Sequence, residues 1–175
     1  MKIGILALQG SFFEHGKILQ KLRREFFLVR DRNSLEKISH LILPGGESTT
    51  ILRLLRHFSM FEILREKFLR GEIKIFGTCA GAILLAKIGA DFSVTRNAFG
   101  AQQSSFSAIL DSEKFTNLRG IFIRAPKFSK IKNCEILAKF KNEPVLLRGK
   151  NFLAASFHPE LCDETRIHEF FLREF

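Results

Sequence analysis

Hydrophobic and polar residues follow each other along the chain in blocks that predict strands and helices in turn. Residues 2–8 form an essentially apolar run of strand length, which is typical of a strand buried on both faces. Ser11 is followed three positions later by Glu14, a spacing that predicts a capping box and therefore the start of a helix. The apolar residues behind this start share one helical face: Ile18, Leu19, Leu22 and Phe26.

The same alternation continues to about residue 90. Further strands are predicted at residues 27–30, 40–43 and 73–76, and helices from Ser48 as N-cap, over residues 60–70 and over residues 80–86. Short β-type runs then follow at residues 92–95, 106–110, 120–124, 134–140, 144–147 and 152–157, with a hairpin around residues 148–151. A last helix is predicted behind a capping Asp163. The order predicts an α/β three-layer sandwich, with a mostly parallel central sheet and helices on both faces.

The composition suits one domain over residues 1–175, because no linker, repeat or low-complexity segment interrupts the chain. No apolar run reaches the roughly 18–20 residues that cross a bilayer, and the N-terminus lacks the pattern of a signal peptide. We therefore expect a soluble cytoplasmic protein without a membrane partner. Cys79, Cys134 and Cys162 are widely spaced, so neither a disulfide framework nor a metal site is expected.

The chain is basic, with 28 Lys and Arg residues against 18 Asp and Glu and a formal net charge of +10. A nucleic-acid-binding module is therefore one alternative function, which steeply salt-dependent binding to DNA or RNA would support. The basic residues are dispersed, however, and the 20 Phe residues mostly lie in apolar patterns rather than among them. An ordinary solvated surface accounts for the charge better, and phosphate-bearing substrates or an acidic partner protein would also account for it. We expect no nucleic-acid partner.

Residues 77–81, Gly-Thr-Cys-Ala-Gly, lie between an apolar strand and a helix. A nucleophile between two small residues at such a junction is typical of a nucleophile elbow. The thiol of Cys79 would then lie at a helix N-terminus, where the helix dipole favours the thiolate. The N–H of Ala80 points the same way and is a candidate oxyanion donor. A buried cysteine in a glycine-bounded turn is the structural alternative.

Residues 44–50, Pro-Gly-Gly-Glu-Ser-Thr-Thr, also separate a strand from a helix. Gly45 and Gly46 allow the backbone to approach a ligand closely, and their N–H groups are candidate oxyanion donors. Glu47 supplies a negative charge suited to a substrate ammonium. A loop that only starts a helix is the alternative interpretation.

His158 and Glu160 follow the last predicted strand and are the candidate base and orienting acid that a Cys79 nucleophile needs. The imidazole can accept the thiol proton, and the carboxylate can fix the imidazole tautomer. Three complementary motifs, each at the end of a strand, favour a catalytic site, because ligands of open α/β sheets bind at the carboxyl ends of the strands. The other histidines, His15, His40, His57 and His168, are interpreted as surface or packing residues.

This constellation resembles that of the class I glutamine amidotransferases, in which a Cys-His-Glu triad hydrolyses glutamine. Within the class, the motifs are similar to those of the glutaminase subunits of pyridoxal 5'-phosphate synthase. They stand at residues 6–10, 43–50, 77–81, 96–100, 122–126 and 156–161, so the resemblance covers nearly the whole chain. It implies a flavodoxin-like fold shared with this class.

The resemblance also implies roles for residues. Glutamine would be bound by Gly46, Glu47, Ser48, Arg96, Ile123 and Arg124. Ammonia would pass to a synthase subunit that builds the cofactor from a pentose phosphate and a triose phosphate, and the glutaminase itself would need no cofactor. Glu14 and His15 would lie near that partner, and a peptide flip at Gly45–Gly46 would follow docking. Glutaminases of the histidine, purine or anthranilate branches, and a cysteine peptidase or stress hydrolase on a similar sheet, are the alternatives.

The sequence departs from this family in three places. Ala101 and Ser104 stand where the family usually has an Arg and an Asp, which suggests loss of a salt bridge rather than of chemistry. Residues 87–94 are shorter than the family norm. Cys162 stands where the family often has Thr, and we expect it only to pack.

Overall fold

The computed structural model describes residues 1–96, 105–162 and 164–175. The strands are β1 (Ile3–Leu6), β2 (Phe27–Val29), β3 (His40–Leu43), β4 (Lys74–Thr78), β5 (Ser93–Thr95), β6 (Phe106–Ile109), β7 (Arg119–Phe122), β8 (Lys127–Ser129), β9 (Glu135–Phe140), β10 (Glu143–Arg148) and β11 (Phe152–Ala155). The helices are α1 (Phe12–Lys21), α2 (Arg32–Glu36), α3 (Ser48–His57), α4 (Phe61–Leu69), α5 (Ala80–Ile88) and α6 (Thr165–Glu174). A short 3-10 turn covers Pro159–Leu161.

Seven strands form the central sheet, in the order β2-β1-β3-β4-β11-β10-β9. The first five run parallel, and β10 and β9 are antiparallel to their neighbours. The predicted mostly parallel sheet is confirmed, as is the hairpin, which joins β10 to β11. Two smaller antiparallel pairs, β5 with β8 and β6 with β7, stand beside this sheet.

Helices cover both faces of the sheet, as the sequence predicted. Successive residues of β3 point to opposite sides, so Leu41 and Leu43 pack into one core while Ile42 packs into the other. The first core contains residues of α2, α3, α4 and α5, and the second contains residues of α1 and α6. Every residue of β1, β3 and β11 is buried, which explains why these strands are apolar runs rather than alternating patterns.

The predicted starts of three helices are confirmed, but their capping residues are not. Ser11 precedes α1 without a side-chain capping bond, because its hydroxyl is used in a tertiary contact described below. Glu47 rather than Ser48 caps α3, with its carboxylate accepting from the Thr49 N–H. Asp163 lies outside the described residues, and Glu164 caps α6.

Two short elements, α2 and β8, were not predicted. Helix α2 has only five residues, too few for an apolar period, although Asp31 and Ser34 form a reciprocal capping box at its start. Strand β8 has three residues and is defined by its pairing with β5. Within the described ranges, no helix is long and apolar enough to cross a membrane.

Candidate active site

Cys79 occupies a sharp turn between β4 and α5. Its backbone has φ 48° and ψ −104°, a conformation that non-glycine residues rarely adopt and that is associated with functional sites. The Cys79 N–H donates to the Ala155 carbonyl at 2.8 Å, which fixes the turn to the end of β11. Cys79 is 5% exposed, and its thiol lies 3.6 Å from the Ile123 carbonyl oxygen. This geometry is that of a nucleophile elbow.

The glycines on either side of Cys79 are required by close backbone contacts. A Cβ on Gly81 would lie 1.9 Å from the Leu43 carbonyl oxygen, and one on Gly77 would lie 2.7 Å from the Gly81 carbonyl. Real Cβ atoms essentially never come this close to backbone atoms. The predicted reason for the glycines, a turn too tight for side chains, is confirmed.

His158 follows β11, and its imidazole contacts the carboxylate of Glu160. Nδ1 lies 2.7 Å from Glu160 Oε1, which leaves Nε2 for Cys79. Burial lowers the pKa of His158, but its interactions with Cys79 and Glu160 outweigh burial and raise the pKa to about 10. The imidazolium form of His158 is therefore favoured at neutral pH.

Glu160 is a buried carboxylate held by several donors. Ser11 Oγ donates to Oε1 at 2.7 Å, and Thr78 Oγ1 lies 3.4 Å from the same oxygen. Burial raises the pKa of Glu160, but His15, His158 and Ser11 together lower it to about 2. The carboxylate is therefore ionised at neutral pH and accepts the Nδ1–H of His158. Ser11 and Thr78 are site residues that sequence reasoning missed.

His15 and His168 were interpreted as surface or packing residues, and the structure places both beside the candidate triad. Both are fully buried, and His15 Nδ1 lies 2.8 Å from His168 Nε2. His15 Nε2 lies 3.1 Å from Thr78 Oγ1 and 3.5 Å from Glu160 Oε1. Burial lowers the pKa of His15, and it lowers that of His168 to about 3, so both imidazoles are neutral at pH 7.

A cavity of about 260 Å³ opens over Cys79. The six residues predicted to bind glutamine all line it, together with Cys79, Ala80, Ile83 and His158. Arg96 spans its rim, with a guanidinium nitrogen 3.1 Å from Glu47 Oε1 and another 3.3 Å from Thr49 Oγ1. A larger cavity, of about 480 Å³, lies along β9, and its lining contains neither cysteine nor histidine. The chemistry is therefore assigned to the smaller one.

The backbone of the glycine loop has a defined orientation. The Gly45 N–H donates to Thr78 Oγ1 at 3.1 Å, so it is occupied in this arrangement. The Gly45 carbonyl accepts from the Ser11 N–H at 3.0 Å. Because the C=O and N–H of a trans peptide point in opposite directions, the Gly46 N–H points away from Ser11.

Cys162, which lies near the candidate triad, has only backbone contacts within hydrogen-bond range among the described residues. The Cys162 thiol lies 3.4 Å from the Arg119 carbonyl oxygen and 3.5 Å from that of Pro159. Burial raises its pKa to about 11, so it stays protonated. These contacts agree with the expected packing role. Ala101 and Ser104, and residues 97–100 of the predicted motif, lie outside the described residues.

Comparison with known proteins places these features in a family. A model of the SNO glutamine amidotransferase family matches residues 5–175. Relatives called pyridoxal 5'-phosphate synthase subunit PdxT include one from Fervidobacterium nodosum, 43% identical, covering 99% of this chain and 96% of the relative. Another, from Thermus thermophilus, is 44% identical, covering 97% of this chain and 95% of the relative.

Solved structures agree with this assignment. One described as a glutamine amidotransferase is 43% identical and superimposes with a TM-score of 0.91, over 98% of this chain and 97% of that one. A putative GMP synthase component from Thermoplasma acidophilum, 17% identical with a TM-score of 0.70 over 98% of this chain and 92% of that one, shares the fold. The family model and the relatives at over 40% identity span nearly the whole chain. The chain therefore belongs to the SNO glutamine amidotransferase family.

Proposed function

We propose that this protein hydrolyses L-glutamine to L-glutamate and ammonia, as the glutaminase subunit of a pyridoxal 5'-phosphate synthase. The observation that carries the proposal is the position of Cys79 in a cavity lined by all six residues expected to bind glutamine. Membership of the family and the similarity to subunits named PdxT support the branch. Structures from other branches, at 16–17% identity, share only the fold and do not favour those branches.

The triad can perform both halves of the reaction. The Cys79 thiolate attacks the carboxamide carbon, and the carbonyl electron pair moves onto oxygen. The C–N bond then breaks as the His158 imidazolium protonates the nitrogen, which releases ammonia and leaves a thioester. Neutral His158 next takes a proton from water, whose oxygen attacks the thioester. The C–S bond breaks, and glutamate leaves with the thiolate restored. Glu160 fixes the imidazole and stabilises its charge throughout.

Two backbone N–H groups are suited to hold the oxyanion. Ala80 is the first residue of α5, so its N–H has no partner within the helix. Gly46 lines the cavity, and its N–H points away from Ser11. We assign the oxyanion to these two groups. The Gly45 N–H is bonded to Thr78 Oγ1 and is therefore not available to the oxyanion. Gly45 contributes instead by fixing the orientation of the peptide that carries the Gly46 N–H.

The cavity has the charges and the size that an amino acid needs. Glu47 suits the substrate ammonium and Arg96 the substrate carboxylate, so bound glutamine would replace their mutual ion pair. Ser48, Ile123 and Arg124 complete the wall. The volume of about 260 Å³ lies just below the roughly 300–1,000 Å³ of drug-sized ligand sites, which favours one amino acid over a peptide.

Ammonia released into neutral water becomes ammonium, which is not a nucleophile. This loss is avoided by direct transfer to a synthase subunit, and the name of the relatives as synthase subunits supports such a partner. We place the protein in a complex with that subunit. The isolated chain is expected to turn over glutamine slowly, because the family resemblance implies that docking of the synthase subunit completes the site.

The test is ammonia release from glutamine by the wild type, by Cys79→Ala and by Cys162→Ala, each with and without the synthase subunit. Cys79→Ala should abolish hydrolysis and retain glutamine binding, because the pocket walls are unchanged. Cys162→Ala is the matched control and should keep near-normal turnover. Normal ammonia release by Cys79→Ala would refute the proposed nucleophile, and full turnover by the isolated wild type would refute dependence on the partner.

A further inference from the structure

The triad acid is connected to two buried histidines that the glutaminase reaction does not use. His15 lies in α1 and His168 in α6, the two helices that cover one face of the sheet. Both imidazoles are 0% exposed, and they reach the triad through Thr78 at the end of β4. Burying two imidazoles is costly unless their polar atoms are bonded, so their arrangement calls for an explanation.

The protons in this network can be assigned from the contacts. Ionised Glu160 is acceptor-only, so a lone pair on His15 Nε2, 3.5 Å from Oε1, would be repelled. Nε2 therefore carries the proton of His15. Because His15 is neutral, its Nδ1 is an acceptor, and His168 Nε2 at 2.8 Å must be the donor. His168 Nδ1 is then unprotonated, and it has no hydrogen-bond partner within range among the described residues. A proton on Nδ1, directed at the Glu164 carbonyl, would belong to the reversed tautomers.

Thr78 connects the two histidines to Glu160 and to the Gly45 loop. Its hydroxyl oxygen accepts from His15 Nε2–H at 3.1 Å and from the Gly45 N–H at 3.1 Å. Its own proton is then directed to Glu160 Oε1 at 3.4 Å. Every donor in the chain His168, His15, Thr78, Glu160 has an acceptor with this assignment. The reversed tautomers would turn the Thr78 proton to His15 and remove it from the carboxylate.

We propose that His15, held by His168, is a positioning residue that fixes Glu160 and the Gly45 loop in one geometry through Thr78. The inference rests on the proposed glutaminase function and adds residues that the triad itself does not contain. The titratable groups that face His15 are Glu160, His158 and Glu14, and those that face His168 are His15 and Glu160. Glu160 Oε2 is buried without a partner in the described residues, so the carboxylate is held through Oε1 alone.

The variants are His15→Leu, which removes the donor, and His15→Gln, whose amide can donate from a position near that of Nε2. His40→Leu is the matched control. His40 is also buried and hydrogen-bonded, to Ser39 Oγ at 3.0 Å, but it lies at the start of β3, at the other end of the sheet from Cys79. Thermal unfolding shows which variants are folded.

Two readouts separate positioning from general destabilisation. In the complex with the synthase subunit, His15→Leu should lower kcat roughly 10- to 100-fold with little change in KM, and His15→Gln should restore most of it. The second readout is the pH profile of Cys79 alkylation by iodoacetamide, followed by mass spectrometry of the Cys79 peptide. A displaced Glu160 stabilises the His158 imidazolium less, so the profile of His15→Leu should move up by about one pH unit. His40→Leu should leave both readouts unchanged.

A folded His15→Leu with wild-type kcat and alkylation profile would overturn the inference, and so would equal defects in His15→Gln and His15→Leu. If His15→Leu does not fold, imidazole nitrogen NMR of the wild type decides, because it distinguishes the tautomers. Protons on Nε2 of both His15 and His168 support the network, and the reversed tautomers overturn it. Alkylation and NMR need no glutamine, so a wild type without glutaminase activity would refute the proposed function separately.

Discussion

Substitution of Gly45 by alanine should damage catalysis through one methyl group. A Cβ on Gly45 would lie 2.2 Å from His158 Cε1 and 2.8 Å from Nδ1, whereas ordinary contact begins at 3.4 Å. The ring would have to recede by 1.2 Å, the difference between 3.4 and 2.2 Å. The His158 ring has little freedom to move, because the His158 backbone N–H is bonded to the Ile121 carbonyl at 2.8 Å and the ring Nδ1 to Glu160 at 2.7 Å.

The displacement would therefore break or lengthen the bond between His158 and Glu160. A misplacement of about 1 Å in a catalytic group can lower the rate on the order of 100-fold. Loss of a hydrogen bond to a charged group should also destabilise the protein by about 1.5–3 kcal/mol. Gly45 is not among the described residues with positive φ, so the effect would be steric rather than conformational.

The assay is glutamine hydrolysis by Gly45→Ala in complex with the synthase subunit, with thermal unfolding measured in parallel. Gly71→Ala is the matched control, since nothing lies within 4 Å of its Cβ and its φ of +74° imposes only backbone strain. That strain should cost roughly 1–2 kcal/mol without changing kcat. A Gly45→Ala protein with kcat within threefold of the wild type would refute the steric reasoning.

Three other changes have expected outcomes. Ser11→Ala removes the 2.7 Å hydrogen bond to Glu160 and should lower kcat roughly tenfold, equivalent to about 1.4 kcal/mol; an unchanged kcat would contradict this role. Glu47→Gln should raise KM for glutamine about tenfold while thermal stability changes little, because exposed ion pairs contribute about 0–1 kcal/mol; a KM within twofold of the wild type would contradict the substrate contact. The pKa of His168 is about 3 in the folded protein against 6.5 in the unfolded chain, so the unfolded chain binds more protons between these values. The free energy of unfolding should therefore fall as pH drops below 6.5, and protonation of Glu160 should add to the loss below pH 4.5. His168→Leu should reduce the fall between pH 6.5 and 4.5. Urea titrations of both proteins from pH 7 to 4 are the test.

Much of the fold was predictable from local pattern. Buried parallel strands require continuous apolar runs, and β1, β3 and β4 were found within a few residues of their predicted bounds. The elbow at Cys79 was predictable for a similar reason, because the tight turn demands small residues on both sides. The residues that line the cavity followed from the family resemblance rather than from pattern alone.

The capping residues show where local pattern was misleading. The Ser11 and Glu14 spacing satisfies the rule for a capping box, yet the Ser11 hydroxyl donates to a carboxylate 149 positions away. A hydrogen bond to an ionised, buried acceptor is stronger than one to a backbone amide at an accessible helix end. The tertiary contact therefore prevails over the local one.

The sequence by itself predicted most of the strands and helices in their order, and it proposed Cys79, His158 and Glu160 as nucleophile, base and acid, because each of these motifs depends on neighbours a few positions apart. Only the tertiary structure decided what surrounds Glu160. His15 and His168 are 153 positions apart, and neither has a local pattern that distinguishes a packing histidine from one bonded to the triad. Their role depends on the packing of α1 and α6 on the same face of the sheet, which brings two imidazoles and the Thr78 hydroxyl to one buried carboxylate.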